Sequence, residues 1–178
     1  VAAGVGVVAL ALIVLLATAD GDGGGVESDL IGEVAPLVAG ETLAGDTYDL
    51  DDQRGRWVLV NFFQTTCIPC VQEHPQLVSF QDAYGPSGFA TVVSVAFDDT
   101  EDNIRSFFAD NGGDWPIITE GAGDIAVAYG VPLVPESVVI APTGEVVTKL
   151  ISGVTRADLE AVIAGWQAEQ AAGRDGAA

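Results

Sequence analysis

Two runs constrain this chain most: Trp57–Phe63, WVLVNFF, and Phe89–Phe97, FATVVSVAF. Each is a nearly continuous stretch of β-branched and aromatic residues of strand length, the pattern of strands covered on both faces. Between them the spacing predicts a helix over Cys67–Tyr84, with Leu77, Phe80 and Tyr84 at helical intervals and Gly85-Pro86 as its stop. Pro69 falls in the first turn, where a missing N–H costs little, whereas Pro75 in the interior is expected to kink the helix. A strand, a helix and a strand of these lengths close as a right-handed parallel crossover, which commits the chain to an α/β sheet that is at least partly parallel.

The remaining pattern predicts a mixed sheet. Glu41–Leu50 offers two short strand-like pieces around Ala44-Gly45-Asp46, an N-terminal hairpin. Asp98-Asp99-Thr100 supplies N-cap candidates for a helix with an Ile104, Phe107, Phe108 stripe, stopped by Gly112-Gly113. WPIIT, from Trp115, reads as a short strand and Gly123–Tyr129 as a small helix. Ser137–Ile140 and Glu145–Ile151 flank an Ala-Pro-Thr-Gly turn and should pair antiparallel. Thr155 caps a closing helix in which Leu159, Val162, Ile163 and Trp166 share a face, and residues 171–178 read as a disordered tail.

With 178 residues, 49% of them hydrophobic, the chain suits one well-buried domain, placed at residues 33–170. Its 26 acidic side chains against 6 basic give a net charge of −20. That balance argues against nucleic acid or an anionic lipid surface as partner, since both demand clustered Lys and Arg. Val1–Ala19 carries no charge and suits a transmembrane helix of roughly 20 apolar residues. It has two readings, a retained anchor or a signal peptide cut near Ala17-Thr18-Ala19, and its length beyond a signal core favours the anchor. Residues 20–32, Gly-rich and acidic, read as a flexible linker. An acidic flank is expected on the outer side of a membrane, which puts the domain on the extracytoplasmic face of the cell membrane as a single-pass protein. In that compartment a cysteine pair can persist as a disulfide or cycle.

All the cysteine of the chain lies in Thr65-Thr66-Cys67-Ile68-Pro69-Cys70. As a staple, a disulfide across so small a loop contributes only about 2 kcal/mol. As a structural zinc site it lacks ligands, because His74 is the only further thiolate or imidazole, and a lone polar His on a helix is more often solvated. The redox reading explains more. A cysteine at the first turn of a helix has its thiolate stabilised by unpaired N–H groups and the positive dipole end. Three residues on, Cys70 shares the helix face and can resolve a mixed disulfide formed at Cys67. Pro69 stiffens the turn between them.

The ordered landmarks VLVNFFQTTCIPC, IGEVAP near Ile31, CIPCVQEHP and YGVPLVPESVVIAPTGEVV from Tyr129 resemble the thioredoxin superfamily. Within it they look like the TlpA/ResA-type membrane-anchored thiol-disulfide oxidoreductases, over roughly Gly32 to Trp166. The resemblance implies a thioredoxin-like fold, a central mixed β-sheet flanked by helices, here with an N-terminal hairpin and a preceding transmembrane helix. It implies that Pro135 is cis and faces the cysteine pair, and that Val134 offers its backbone to an extended substrate segment beside the disulfide, with Thr66 and Pro69 as further substrate-binding residues. It matches Glu73 to the acidic residue of that segment, which a partly buried setting would fit for proton exchange; the alternative is an ordinary solvent-facing helix Glu. One departure is Thr66, which stands where relatives commonly carry Trp, so the surface offered to partners differs; Phe63 substitutes only if it points outward.

The resulting expectation is a thiol-disulfide oxidoreductase without a separate cofactor, its redox-active group the Cys67-Cys70 pair. It acts on exported protein cysteines, by resemblance in the reducing direction, for example on apocytochrome c, with electrons from a membrane donor. Two alternatives share the scaffold. A copper chaperone needs a His beside the thiolates, and the loop Val131–Val134 has none, leaving His74 in an unusual place. A peroxiredoxin would carry Pro and Thr or Ser where this chain has Val60 and Gln64.

Overall fold

The computed structural model describes residues 28–175. The apolar segment 1–19 and residues 20–27 of the expected linker lie outside the described residues, and no helix among the described ones is long and apolar enough to cross a membrane. The elements run β1 (Ala39–Glu41), β2 (Thr47–Asp49), β3 (Trp57–Phe63), α1 (Ile68–Tyr84), β4 (Ala90–Ala96), α2 (Glu101–Asn111), β5 (Ile117–Ile118), α3 (Ala122–Ala128), β6 (Glu136–Ile140), β7 (Val146–Ile151) and α4 (Arg156–Asp175). The main sheet has the order β5-β4-β3-β6-β7. β3, β4 and β5 are parallel, while β6 runs antiparallel to β3 and β7 antiparallel to β6. β1 and β2 pair antiparallel beside the edge strand β5, where the Leu43 amide donates to the Ile117 carbonyl at 2.8 Å.

All seven residues of β3 are buried, and alternation divides them between two cores. Trp57, Leu59 and Phe63 pack with Leu77, Phe80, Ile104, Leu159 and Ile163, the side covered by α1, α2 and α4. Val58, Val60 and Phe62 pack with Val38, Ile125, Ala126 and Tyr129 on the side of α3 and the N-terminal segment. Asn61 has the same parity as Trp57 and Phe63, so a polar side chain enters the α1 side of the sheet.

Two boundaries differ from the sequence expectation for physical reasons. The chain joins the fold before residue 33: Ile31 bridges Val146, and the Gly32 amide donates to the Val146 carbonyl at 2.9 Å. α4 continues to Asp175, so residues 171–175 are helical rather than disordered. Its last turns are rich in alanine, the strongest helix former, and Arg174 complements the C-terminal dipole. α1 runs without interruption through Pro75.

α1 is anchored to the sheet by Phe80, which is 2% exposed, whereas Val127 on α3 is 79% exposed. Phe80→Ala should therefore destabilise the fold by about 3–5 kcal/mol in denaturant titration, and Val127→Ala by less than about 0.5 kcal/mol.

Candidate active site

The last residue of β3 and the first turn of α1 are four residues apart, and that junction holds both cysteines. Cys67 is the N-cap of α1, with extended backbone at φ −82° and ψ 109°, and its Sγ accepts the Cys70 amide at 3.2 Å. Its carbonyl takes the Val71 amide at 3.1 Å. Cys67 and Cys70 are joined as a disulfide with Cα atoms 5.2 Å apart. Cys70 is 3% exposed, whereas Cys67 is half-buried and Thr66, Ile68 and Pro69 are exposed. One sulfur is reachable and the other is not, which is the asymmetry that attack at Cys67 and resolution by Cys70 require.

Across from the disulfide, the Val134–Pro135 peptide is cis. The Val134 carbonyl oxygen lies 3.6 Å from Cys67 Sγ. Lys149, the one lysine of the chain, sets the course of this loop. Its Nζ donates to the carbonyls of Gly130 at 2.6 Å and Tyr129 at 3.3 Å, at the loop's start. It also forms a buried ion pair with Glu136 Oε2 at the loop's end, at 2.6 Å but without hydrogen-bond geometry at that oxygen. The segments beside the sulfur, Gln64 to Gln72 and Gly130 to Pro135, contain no Asp, Glu, Lys or Arg, although the Asp99 carboxylate reaches Thr65 from the start of α2. Ile68 and Leu133 stand out from this rim at 71% and 76% exposure. Phe63 is 3% exposed and packs on Phe107 and Phe108, so it does not replace the tryptophan absent at Thr66.

Glu73 is buried, 3% exposed, one helical turn beyond Cys70. Asn61 Nδ2 donates to its Oε1 at 3.1 Å and the Val154 amide donates to its Oε2 at 3.2 Å. Asn61 also donates to Ser137 Oγ at 3.1 Å, so β3 and the turn after β7 meet on the carboxylate and β6 holds the Asn61 amide that reaches it. Burial pushes the Glu73 carboxyl up to about 7, against the opposing pull of the Val154, Asn61 and Gly153 donors. A group of that kind exchanges a proton near neutral pH.

His74 is not solvated, contrary to the expectation for a lone helix histidine. It is 3% exposed, caged by Phe107, Phe108 and Trp115, with Nε2 at 2.9 Å from the Gly112 carbonyl. Burial lowers its pKa and favours the neutral ring, outweighing the bond to Gly112. His74 thus ties α1 to the end of α2, and among the described residues no three His, Cys, Asp or Glu side chains are grouped to hold a metal ion.

Asn61, Ser137, Val154 and Asp99 are absent from the sequence expectation as site residues. Asn61 had a signal, the one polar side chain in an otherwise apolar buried run. Asp99 stood among the N-cap candidates of α2, but Thr100 caps that helix, accepting the Asn103 amide at 3.3 Å. Asp99 instead accepts both the amide and the hydroxyl of Thr65 at 2.7 Å, which fixes the loop two residues before Cys67.

A cysteine pair at a strand-to-helix junction, a cis-proline facing it and a mixed sheet in this order define a thioredoxin-fold thiol-disulfide oxidoreductase. The Redoxin family model matches residues 31–163, and the chain belongs to that family, as a ResA/TlpA-like member of the thioredoxin superfamily. It is 30% identical over 130 residues to the thiol-disulfide oxidoreductase ResA of Bacillus anthracis, covering 73% of this chain and 75% of that protein. It is 29% identical over 129 residues to ResA of Bacillus subtilis, covering 72% and 71%. Among solved structures, the thioredoxin domain of a thiol-disulfide oxidoreductase from Bacteroides vulgatus superposes with a TM-score of 0.68 at 26% identity, covering 78% of this chain and 99% of that one. A DsbF homologue from Corynebacterium diphtheriae shares the fold with a TM-score of 0.68 at 23% identity, covering 83% and 96%. The chain is a protein-disulfide oxidoreductase, and Cys67-Cys70 is its disulfide-forming pair.

Because the Glu73 carboxyl is raised to about 7 from 4.5, the folded protein holds a proton that the unfolded chain releases between those values. Stability from this group is present below about 4.5 and is lost as pH rises through about 7. Chemical unfolding of the oxidised protein should show this as up to about 3 kcal/mol across that window. Glu73→Gln should remove that part of the pH slope; an unchanged slope would show that the carboxyl titrates normally.

Proposed function

We propose that the domain works on the extracytoplasmic face, tethered to the cell membrane through residues 1–19. There it reduces disulfides in exported proteins, as in the maturation of apocytochrome c, with electrons supplied by a membrane donor. The observation that carries this reading is the half-buried Cys67, whose sulfur receives the Cys70 amide and faces the Val134 carbonyl at 3.6 Å. The compartment and the tether rest on the charge pattern of residues 1–32.

In the reduced state, the Cys67 thiolate attacks a sulfur of the substrate disulfide; a mixed disulfide forms and the first substrate thiolate leaves and takes a proton. Cys70 gives its proton to the Glu73 carboxylate and attacks the Cys67 sulfur. The second substrate thiolate leaves and takes that proton from Glu73, restoring its carboxylate, the first having taken its proton from water. The substrate gains two electrons and two protons, and Cys67-Cys70 is oxidised. Val134 and Pro135 hold the substrate backbone beside the sulfur, while Thr66 and Pro69 form the opposite wall. Ile68 and Leu133 contact apolar side chains next to the target cysteine, and the charge of −20 disfavours acidic segments.

Three measurements test the reading. Cys70→Ser should accumulate a mixed disulfide on Cys67, and Cys67→Ser should abolish exchange, both followed by non-reducing gels and mass spectrometry. The midpoint potential should lie near the thioredoxin value of about −270 mV, whereas one near about −120 mV would reassign the protein to disulfide formation. Ile68→Asp and Leu133→Asp should each raise KM for an uncharged disulfide peptide by roughly tenfold through lost apolar contact. An unmoved KM in both would leave the rim without a part in recognition.

A further inference from the structure

The turn Ser152-Gly153-Val154 stands between the two halves of the site. Leaving β7, it passes through two successive left-handed residues, Ser152 at φ 61° and Gly153 at φ 62°. A serine in that region is uncommon and marks a conformation held by its surroundings. The Ser152 amide donates to the Pro135 carbonyl at 3.1 Å, gripping the loop that faces Cys67. Two residues further on, the Val154 amide donates to Glu73 Oε2 at 3.2 Å, and the Gly153 backbone adds to the pull that favours the carboxylate. Ser152 and Gly153 are exposed, whereas Glu73 is not. A partner engaging the Val134–Pro135 edge therefore lies one hydrogen bond from the turn, and the turn lies one hydrogen bond from the buried acid.

We propose that this turn is a positioning element, with Gly153 and Val154 as positioning residues, through which substrate docking at Pro135 adjusts the proton affinity of Glu73. The inference rests on the reading of Glu73 as the proton-exchanging group. Backbone donors stabilise the charged carboxylate, so a turn that tilts away raises its proton affinity and one that closes lowers it. The other groups around Glu73 leave this route open. On α1 the titratable neighbours are Cys67 and Cys70, which do not titrate as a disulfide, and His74, bound to Gly112 away from the sheet. β3 and β6 present neutral Asn61 and Ser137, and the Glu136–Lys149 pair has the opposite parity on β6. On α4, Asp158 is held by Thr155, and Glu160 by Tyr84 and Arg156.

The test uses the full oxidised chain with the Glu73 side-chain carboxyl followed by carbon NMR through a pH titration. A Cβ at position 153 meets no heavy atom within 4 Å, so Gly153→Ala perturbs the turn through its backbone angle alone. Gly153→Ala should raise the Glu73 midpoint by about half a pH unit or more, and Gly153→Asn, which tolerates left-handed backbone, should leave it in place. The acid limb of disulfide-exchange activity should move with the midpoint in Gly153→Ala and stay put when Glu73→Gln is added. A second measurement needs no change in the turn: Cys70→Ser carrying a peptide on Cys67 should differ in its Glu73 midpoint from the same protein carrying a methylthio group. Equal midpoints in that pair, or a midpoint unmoved by a folded Gly153→Ala, would overturn the proposal. Because the titration is read without turnover, an inactive protein with a responsive Glu73 would sink the proposed function and leave this inference standing.

Discussion

The Cys70 amide points at the sulfur of Cys67, and the site is arranged around that 3.2 Å contact. It exists because β3 ends and α1 begins within a few residues, with Cys67 at the cap, where the first amides of a helix have no carbonyl partners. A sulfur at that position meets unpaired donors and the positive end of the dipole, a setting that stabilises a thiolate formed on reduction. Pro69 fits the same turn because it lacks an N–H the helix would not use. The parallel crossover fixes where this junction sits, at the C-terminal edge of the central strand, and the antiparallel β6 delivers the cis-proline loop to the same edge.

Burial then separates the roles of groups that are close in sequence. Alternation along β3 sends Asn61 to the side of the sheet where α1 lies, and the helix repeat sends Glu73 to meet it. An isolated carboxylate there would be costly, and its donors come from two segments distant in the chain, β3 and the turn after β7, which makes it a property of the closed fold rather than of the helix. The same helix turn places His74 among three aromatic rings with its Nε2 satisfied by a carbonyl. Adjacent residues on one helix thus end in different chemical settings: one raised toward neutral pH, the other held uncharged.

The strands and helices were readable because their signals are local: the apolar runs of β3 and β4, the stripe of α2, and the Thr155 cap. The cysteine pair was readable from its spacing and its place after a strand, and Pro135 and Glu73 from resemblance. What the sequence did not show depends on contacts between segments distant along the chain. Asp99 looked like a helix cap until folding brought it to Thr65, 34 residues away. His74 looked solvated because a polar residue on a helix says nothing of the aromatic residues that a second helix brings to it. The turn after β7 carried only a Gly and a Ser, yet its backbone meets both Pro135 and Glu73.

Charge is distributed to match this division. Four of the six basic side chains sit in ion pairs, Arg54 with Asp51, Arg105 with Glu101, Lys149 with Glu136 and Arg156 with Glu160. The field outside the domain is therefore set by acidic groups that have no local cation, while the segments flanking the sulfur carry none themselves and meet a charge at Asp99, bonded to Thr65. Two ranges of selection follow. At a distance, the acidic field slows the approach of acidic polypeptides and draws basic ones, an effect that salt weakens. At contact, a substrate docked as proposed would meet the exposed Ile68 and Leu133 and the Val134 backbone, which suit an extended apolar segment whatever its distant charge. A tryptophan at position 66 would have added a broad flat surface to that second range; with threonine there, the proposed contact would rest on two aliphatic side chains and the backbone of the cis-proline loop.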